Sequence, residues 1–215
     1  MKSIYKTLLL TLVPVFAWSQ TPKVLQIGID GCRPDALADA NTPNIDQIIS
    51  NGIYSPDAWN DDITLSGPSW SAILTGVTSS KHGVTNNSFN GSNYDEYPAL
   101  FLRAEQYDPS LNTASISHWN PINTQIVGNT ADFTLNVSTD QEVEDEAIAY
   151  LGSVDVDWLF LHFDDVDIAG HSSGFSSAVP NYIQQIEEVD AHIGQIMAAL
   201  TARSNYANED WLIIL

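Results

Sequence analysis

Short apolar runs recur along the chain, separated by stretches with helical spacing of apolar and polar positions. Lys23 to Ile29 (KVLQIGI) is largely apolar, carries β-branched residues and stops at Asp30-Gly31, as a buried strand does. Thr113 to Ser117 reads as a second strand ending at His118-Trp119, and Phe133 to Val137 alternates like another. Val156 to Phe163 (VDWLFLHF) is a strong strand that runs directly into Asp164-Asp165-Val166-Asp167, and Trp211 to Leu215 (WLIIL) is the last. Between these runs, Arg33-Pro34-Asp35 starts a short helical turn. Thr42-Pro43-Asn44 opens a helix through about Ser50, closed by Asn51-Gly52. Pro98 to Gln106 reads as helix, and Asp140 to Leu151 places Val143, Ala147 and Leu151 on one face. Tyr182 to Thr201 is a long helix with Ile183, Ile186, Val189, Ile193 and Ile196 at helical spacing. Ile53 to Trp59 reads as extended, leading through Asp61-Asp62 to Ser66, while Val84 to Tyr97 is a loop rich in Asn, Ser and Gly. Apolar strands alternating with helices predict an α/β fold: one domain, a mostly parallel sheet and helices on both faces.

The stretch from Thr64 to Gly83 (TLSGPSWSAILTGVTSSKHG) turns abruptly from loop to helix. Gly67 gives backbone freedom, and the fixed φ of Pro68 suits a first helical position. Ser66 is thereby placed just outside a helix N-terminus, where unpaired N–H groups and the helix dipole favour negative charge. The plainer reading is an N-capping serine. Asp30 lies at the C-terminal end of a strand, where open α/β sheets place their ligands; alone, it reads equally as a helix cap. Asp167 and His171, four residues apart after another strand, are able to bend onto one cation from a loop. Carboxylates and imidazole are good ligands for zinc, and a chain without paired thiols would use this set.

The first residues change the picture of where the protein works. Lys2 and Lys6 precede an apolar run from Thr7 to Trp18, ending in Ala17-Trp18-Ser19. That pattern predicts a secretory signal peptide over residues 1–19, cleaved near Ser19, and a protein exported to the periplasm or the outside. The run is too short for a spanning helix, which needs roughly 20 residues, and no other segment is apolar enough to span a membrane. The formal charge of −20 becomes −22 without the two lysines. So few basic residues argue against a nucleic-acid polymer as partner, because Lys and Arg dominate phosphate-backbone binding. Cys32 is the only cysteine, so no internal disulfide is possible, and it reads as a buried thiol.

The order Ile29-Asp30-Gly31-Cys32-Arg33-Pro34-Asp35, Ser66-Gly67-Pro68-Ser69, Thr75-Gly76, His82-Gly83 and Asp167-Ile168-Ala169-Gly170-His171 resembles the alkaline phosphatase superfamily. Within it the chain is most similar to the type I phosphodiesterase/nucleotide pyrophosphatase branch, over most of residues 23–215. The resemblance implies an alkaline-phosphatase-like sheet and a hydrolase acting on small phosphorylated, nucleotide-type substrates. It implies two divalent cations, zinc in this family, astride the nucleophile. Asp30 and Ser66 would hold one, and Asp167 and His171 the other. Ser66 would attack phosphorus and form a phosphoryl- or nucleotidyl-enzyme. Asn87, five residues after His82, falls where the family contacts a phosphate oxygen, and Ser69 would donate one hydrogen bond to substrate.

Departures from the pattern keep rival readings open. Ser66 stands where this branch usually has Thr, and Ser69 where it has Asn. The family completes its metal shells with an Asp-His pair after the strand that WLIIL matches, and a further His beyond. On that resemblance residues 20–215 are expected to be the N-terminal part of a single catalytic domain, with the metal sites incomplete in this stretch. A phosphomonoesterase or sulfatase-like hydrolase of the same superfamily is one alternative. Trp70 replaces the sulfatase motif's Arg, and an unmodified Ser66 cannot act as formylglycine. A catalytically inactive, acidic cation-binding protein is the other. Among lesser candidates, His82 reads as structural, His118-Trp119 as a stacking face, and Asp164 and Asp165 as partners of His171. Tyr182, Glu187 and Asp190 read as packing or solvated-face residues.

Overall fold

The computed structural model describes residues 20–60 and 63–215; residues 1–19, where a signal peptide is expected, and Asp61-Asp62 lie outside the described residues. Five strands form one sheet: β1 (Thr21–Ile29), β2 (Thr113–Ser117), β3 (Phe133–Asn136), β4 (Trp158–Phe163) and β5 (Glu209–Ile214). Their order is β3-β2-β4-β1-β5 and every pairing is parallel. The helices are α1 (Pro34–Asp39), α2 (Pro43–Ser50), α3 (Ser66–Thr75), α4 (Ser79–His82), α5 (Leu100–Tyr107), α6 (Asp140–Ser153), α7 (Asp165–Ser173) and α8 (Pro180–Thr201).

Alternation along the strands divides the core. Leu25 and Ile27 of β1, and Leu159, Leu161 and Phe163 of β4, pack with α2, α6, α7 and α8 on one face. Phe160 of β4 packs with Trp70 and Leu74 of α3, Phe101 of α5 and Ile122 on the other. Helices therefore cover both faces, as the apolar strand pattern requires. Val143, Ala147 and Leu151 are buried together on α6, and Ile186, Val189, Ile193 and Ile196 on α8. Among the described residues no helix is long and apolar enough to cross a membrane.

Three local expectations change. Ile53 to Trp59 is irregular rather than extended, with a turn at Pro56-Asp57 and no strand partner, and Ile53 and Trp59 are exposed. Ser66 is the first residue of α3, with Leu65 at the cap position and Pro68 in the first turn. A proline is tolerated there because the first four N–H groups of a helix have no internal partner. Residues 165–173, expected as a loop, are helix α7.

Asp190 of α8 is a further correction: it is buried rather than solvated. Its carboxylate accepts hydrogen bonds from the Ile45 N–H at 2.8 Å, the Asn44 N–H at 3.1 Å and the Asn44 side-chain amide at 2.8 Å. It thus caps α2 from a neighbouring helix. Replacing Asp190 with Ala strands these donors, and the expected destabilisation is about 1–3 kcal/mol. Urea unfolding of both proteins measures it; midpoints that coincide would contradict the capping role.

Candidate metal and nucleophile site

The parallel register brings the chemistry to one edge. Gly28 pairs with His162 and Ile29 with Phe163 across β1 and β4, and Ser117 pairs with His162 across β2 and β4. Asp30, His118 and Asp164 therefore leave adjacent strands at the same end of the sheet, where a doubly wound fold binds ligands. The Asp30 N–H still bonds to the Phe163 carbonyl at 2.9 Å, so its side chain starts from a fixed backbone. The next residue, Gly31, has φ +69°, and a Cβ there would lie 2.7 Å from the Cα of Asp167. Only glycine lets α7 approach the end of β1 this closely. The phenol of buried Tyr182 holds the same turn, donating to the Gly31 carbonyl and accepting from the Arg33 N–H.

On the other side stands α3. Ser66, at the start of α3, is near enough to Asp30 to help lower the pKa of its carboxyl. The Trp70 indole Nε1–H, one turn further along α3, donates to Asp30 Oδ2 at 2.8 Å. Asn87 Oδ1 accepts from the Gly67 N–H at 2.7 Å, which ties the Asn-rich loop to the start of α3. Asp167 and His171 sit one turn apart on α7, with Nε2 of His171 3.4 Å from Oδ2 of Asp167. The fold thus brings Asp30, Ser66, Asn87, Asp167 and His171 into one neighbourhood. Ser69 is turned aside: its hydroxyl accepts from Asn60 Nδ2 at 2.8 Å and donates to the Ile63 carbonyl at 3.3 Å.

One residue that the sequence pattern did not single out, His162, joins the group, together with Asp164. Fully buried His162 has Nε2 3.7 Å from Asp30 Oδ2. Ligand atoms of Asp30, His162 and Asp164 lie within 4.8 Å of one another. The available signal was His162 itself, a titratable residue inside an otherwise apolar strand. Next to them, His118 Nδ1 contacts Asp140 Oδ1 at 2.8 Å, and Asp140 accepts from the backbone N–H groups of Asp164 and Asp165. His118 is therefore paired with carboxylates. Asp165 belongs to this cluster, 3.8 Å from His118, rather than to His171. His82 is buried, its Nδ1 accepting from the Val84 N–H at 3.1 Å, as a structural residue would be.

Charge is crowded here. Burial pushes the Asp164 carboxyl up to about 6, and the neighbouring Asp30 and Asp167 add to the rise against the opposing pull of His162 and His118. Burial and the Asp30 charge likewise raise Asp167. For Asp30, burial is outweighed by the nearby His162 imidazole, the Trp70 indole N–H that donates to it and the Ser66 hydroxyl, and it stays below the ordinary carboxylate range. Facing carboxylates whose repulsion a bound positive charge would relieve, beside imidazoles, fit a divalent cation.

Residues 24–119 match the family model for type I phosphodiesterase/nucleotide pyrophosphatase, and residues 114–213 match that of the metalloenzyme superfamily. The two matches follow one another along the chain, which is thus similar to the nucleotide pyrophosphatase/phosphodiesterase branch of the alkaline phosphatase superfamily. Among similar proteins, the bis(5'-adenosyl)-triphosphatase ENPP4 of Bos taurus is 24% identical over 199 residues, covering 83% of this chain and 43% of that protein. Its Mus musculus counterpart is 26% identical over 202 residues, 85% of this chain and 44% of that protein. The chain thus spans less than half the length of these curated relatives. The structure of murine ectonucleotide pyrophosphatase/phosphodiesterase 5 in complex with AMP superposes with TM-score 0.71 at 18% identity, over 89% of this chain and 56% of that one. A putative sulfatase from Bacteroides thetaiotaomicron superposes with TM-score 0.68 at 13% identity, over 90% and 57%. These superpositions agree with the five-stranded parallel sheet expected of the superfamily.

The raised Asp164 carboxyl gives a pH dependence with a definite sign. A carboxyl whose folded pKa, about 6, exceeds its ordinary 3.8 contributes stability below the ordinary value that is lost as pH rises through the folded value. In chelator-treated protein, Asp164→Asn is expected to melt above the wild type at pH 7.5, with the difference shrinking by pH 4.5. Thermal melts across that range measure it, and a pH-independent difference would contradict the assignment.

Proposed function

We propose that this protein is an exported, metal-dependent hydrolase that cleaves phosphodiester or pyrophosphate bonds in small nucleotide-type substrates. Residues 1–19 act as its signal peptide, cleaved near Ser19, and residues 20–215 form the N-terminal part of one catalytic domain. The length of the curated relatives, roughly twice the matched span, supports that division. Asp30 and Ser66 hold one divalent cation, and Asp167 and His171 the other; zinc suits this set of oxygen and imidazole donors. The observation that carries the reading is the junction of the end of β1 with the start of α3, where the Trp70 Nε1–H donates to Asp30 Oδ2 at 2.8 Å one turn from Ser66, with Asp167 packed on Gly31.

Ser66 Oγ attacks phosphorus, the P–O bond to the leaving group breaks in line, and water then releases the phosphoryl or nucleotidyl group from Ser66. Ser66 stands in the first turn of α3, where the positive end of the helix dipole favours the negative charge that develops on its oxygen. Asn87, held through its Oδ1 by Gly67, offers its Nδ2 protons to a phosphate oxygen. Cations held by Asp30, Ser66, Asp167 and His171 would supply positive charge for the phosphate and would lower the pKa of a nearby water. The likeness of fold to sulfatases keeps sulfate esters as the rival substrate. Trp70, bonded to Asp30 where the sulfatase motif has Arg, favours phosphorus.

Ser66→Ala is expected to reduce hydrolysis of bis(5'-adenosyl) triphosphate by at least about a thousandfold, as loss of a nucleophile does. Zinc binding measured by calorimetry should persist, because Asp30, Asp167 and His171 remain as ligands. Equal turnover by the two proteins would overturn the role of Ser66, and faster cleavage of 4-nitrophenyl sulfate than of phosphate esters would favour the sulfatase reading.

A further inference from the structure

Trp70 is buried on α3, one turn beyond Ser66, and its ring lies across β1 at Gly28. A Cβ at Gly28 would come within 2.2 Å of the indole, so the strand gives up a side chain to admit the ring. The ring meets His162 edge-on, with centroids 4.7 Å apart and planes at 77°. From this seat the indole N–H reaches Asp30 Oδ2 at 2.8 Å. His162 stands behind the same oxygen. Its Nδ1 accepts from the Trp119 N–H at 3.4 Å, which leaves the ring proton on Nε2. That Nε2 has no hydrogen-bond partner among the described residues and lies 3.7 Å from Asp30 Oδ2.

We propose that Trp70 is a positioning residue whose indole N–H, backed by His162, fixes the Asp30 carboxylate for its cation and ties it to the nucleophile helix. The inference rests on the reading of Asp30 as a cation ligand. Core filling explains the burial of Trp70 and the glycine at position 28, but not the aim of Nε1. The fold does bury an indole without such a partner, since Trp158 Nε1 has none among the described residues. An indole N–H also suits the task chemically. It is a donor only and it stays neutral, so it orients a carboxylate without cancelling the charge that attracts the cation. Because Ser66 and Trp70 share one helix, the bond also sets the spacing between the nucleophile and Asp30.

The test removes the N–H and keeps the shape. β-(3-Benzothienyl)alanine at position 70 replaces the indole nitrogen with sulfur, Trp70→Phe is the genetic counterpart, and 7-azatryptophan restores a ring N–H. Zinc is titrated calorimetrically into each chelator-stripped protein, and thermal melts are recorded without metal. The two variants lacking the donor are expected to bind zinc about 10–100-fold more weakly, the usual cost of losing a partner that orients a ligand. The benzothienyl protein should melt within a few degrees of the wild type, and 7-azatryptophan should recover wild-type affinity. Zinc binding that Asp30→Ala weakens but the benzothienyl substitution leaves unchanged would overturn the role of Trp70 alone. Wild-type protein that binds no zinc, or binds it equally after Asp30→Ala, would overturn the Asp30 reading and this inference with it.

Discussion

The site depends on one constraint, the parallel register that sets Gly28 beside His162 and Ile29 beside Phe163. Shifting β4 by one residue would turn His162 to the opposite face of the sheet and send Leu161 or Phe163 toward Trp70. The apolar pattern forbids the slip, because Leu159, Leu161 and Phe163 fill the core on one face while Phe160 fills it on the other. Hydrophobic alternation, which carries no chemical information, thereby fixes where two acidic strand ends and a buried imidazole meet.

Around that edge the structure accepts electrostatic cost. Asp30, Asp164 and Asp167 are close enough that the charge of one raises the pKa of another, and Asp140 is buried just behind them. Backbone N–H groups and His118 offset the burial of Asp140, and Trp70, Ser66 and His162 offset that of Asp30. Asp164 and Asp167 are left with weaker compensation. An arrangement that stabilises some carboxylates fully and leaves neighbours poorly neutralised is expected where binding a cation is part of the function.

Much of this was legible in the residues. Asp30 ends a run too apolar to be anything but a buried strand, and Ser66 begins a helix that Gly67 and Pro68 mark from the sequence. The strands, the long α8 and the buried face of α6 follow from periodicity. What periodicity does not carry is contact across the sheet. His162 looks like an interruption in VDWLFLHF until the register places it behind Asp30, and Trp70 reads as core until Gly28 opens the way for its ring. Asp190 and Asp140 sit on helices rich in acids, where only tertiary packing distinguishes a buried cap from a solvated charge. Helix α7 was hidden because three aspartates and a glycine within residues 164–170 have low helix propensity. Packing against α8 and the hydrogen bonds that the Asp164 and Asp165 N–H groups donate to Asp140 outweigh it.

The central claim is that Ser66 forms a covalent intermediate at phosphorus, and the stereochemical course of hydrolysis tests it most directly. A phosphorothioate diester of known configuration, cleaved in oxygen-18 water, reports inversion for each in-line displacement. Two displacements through Ser66 predict net retention at phosphorus. Net inversion would mean that water attacks the substrate directly, and would contradict the account.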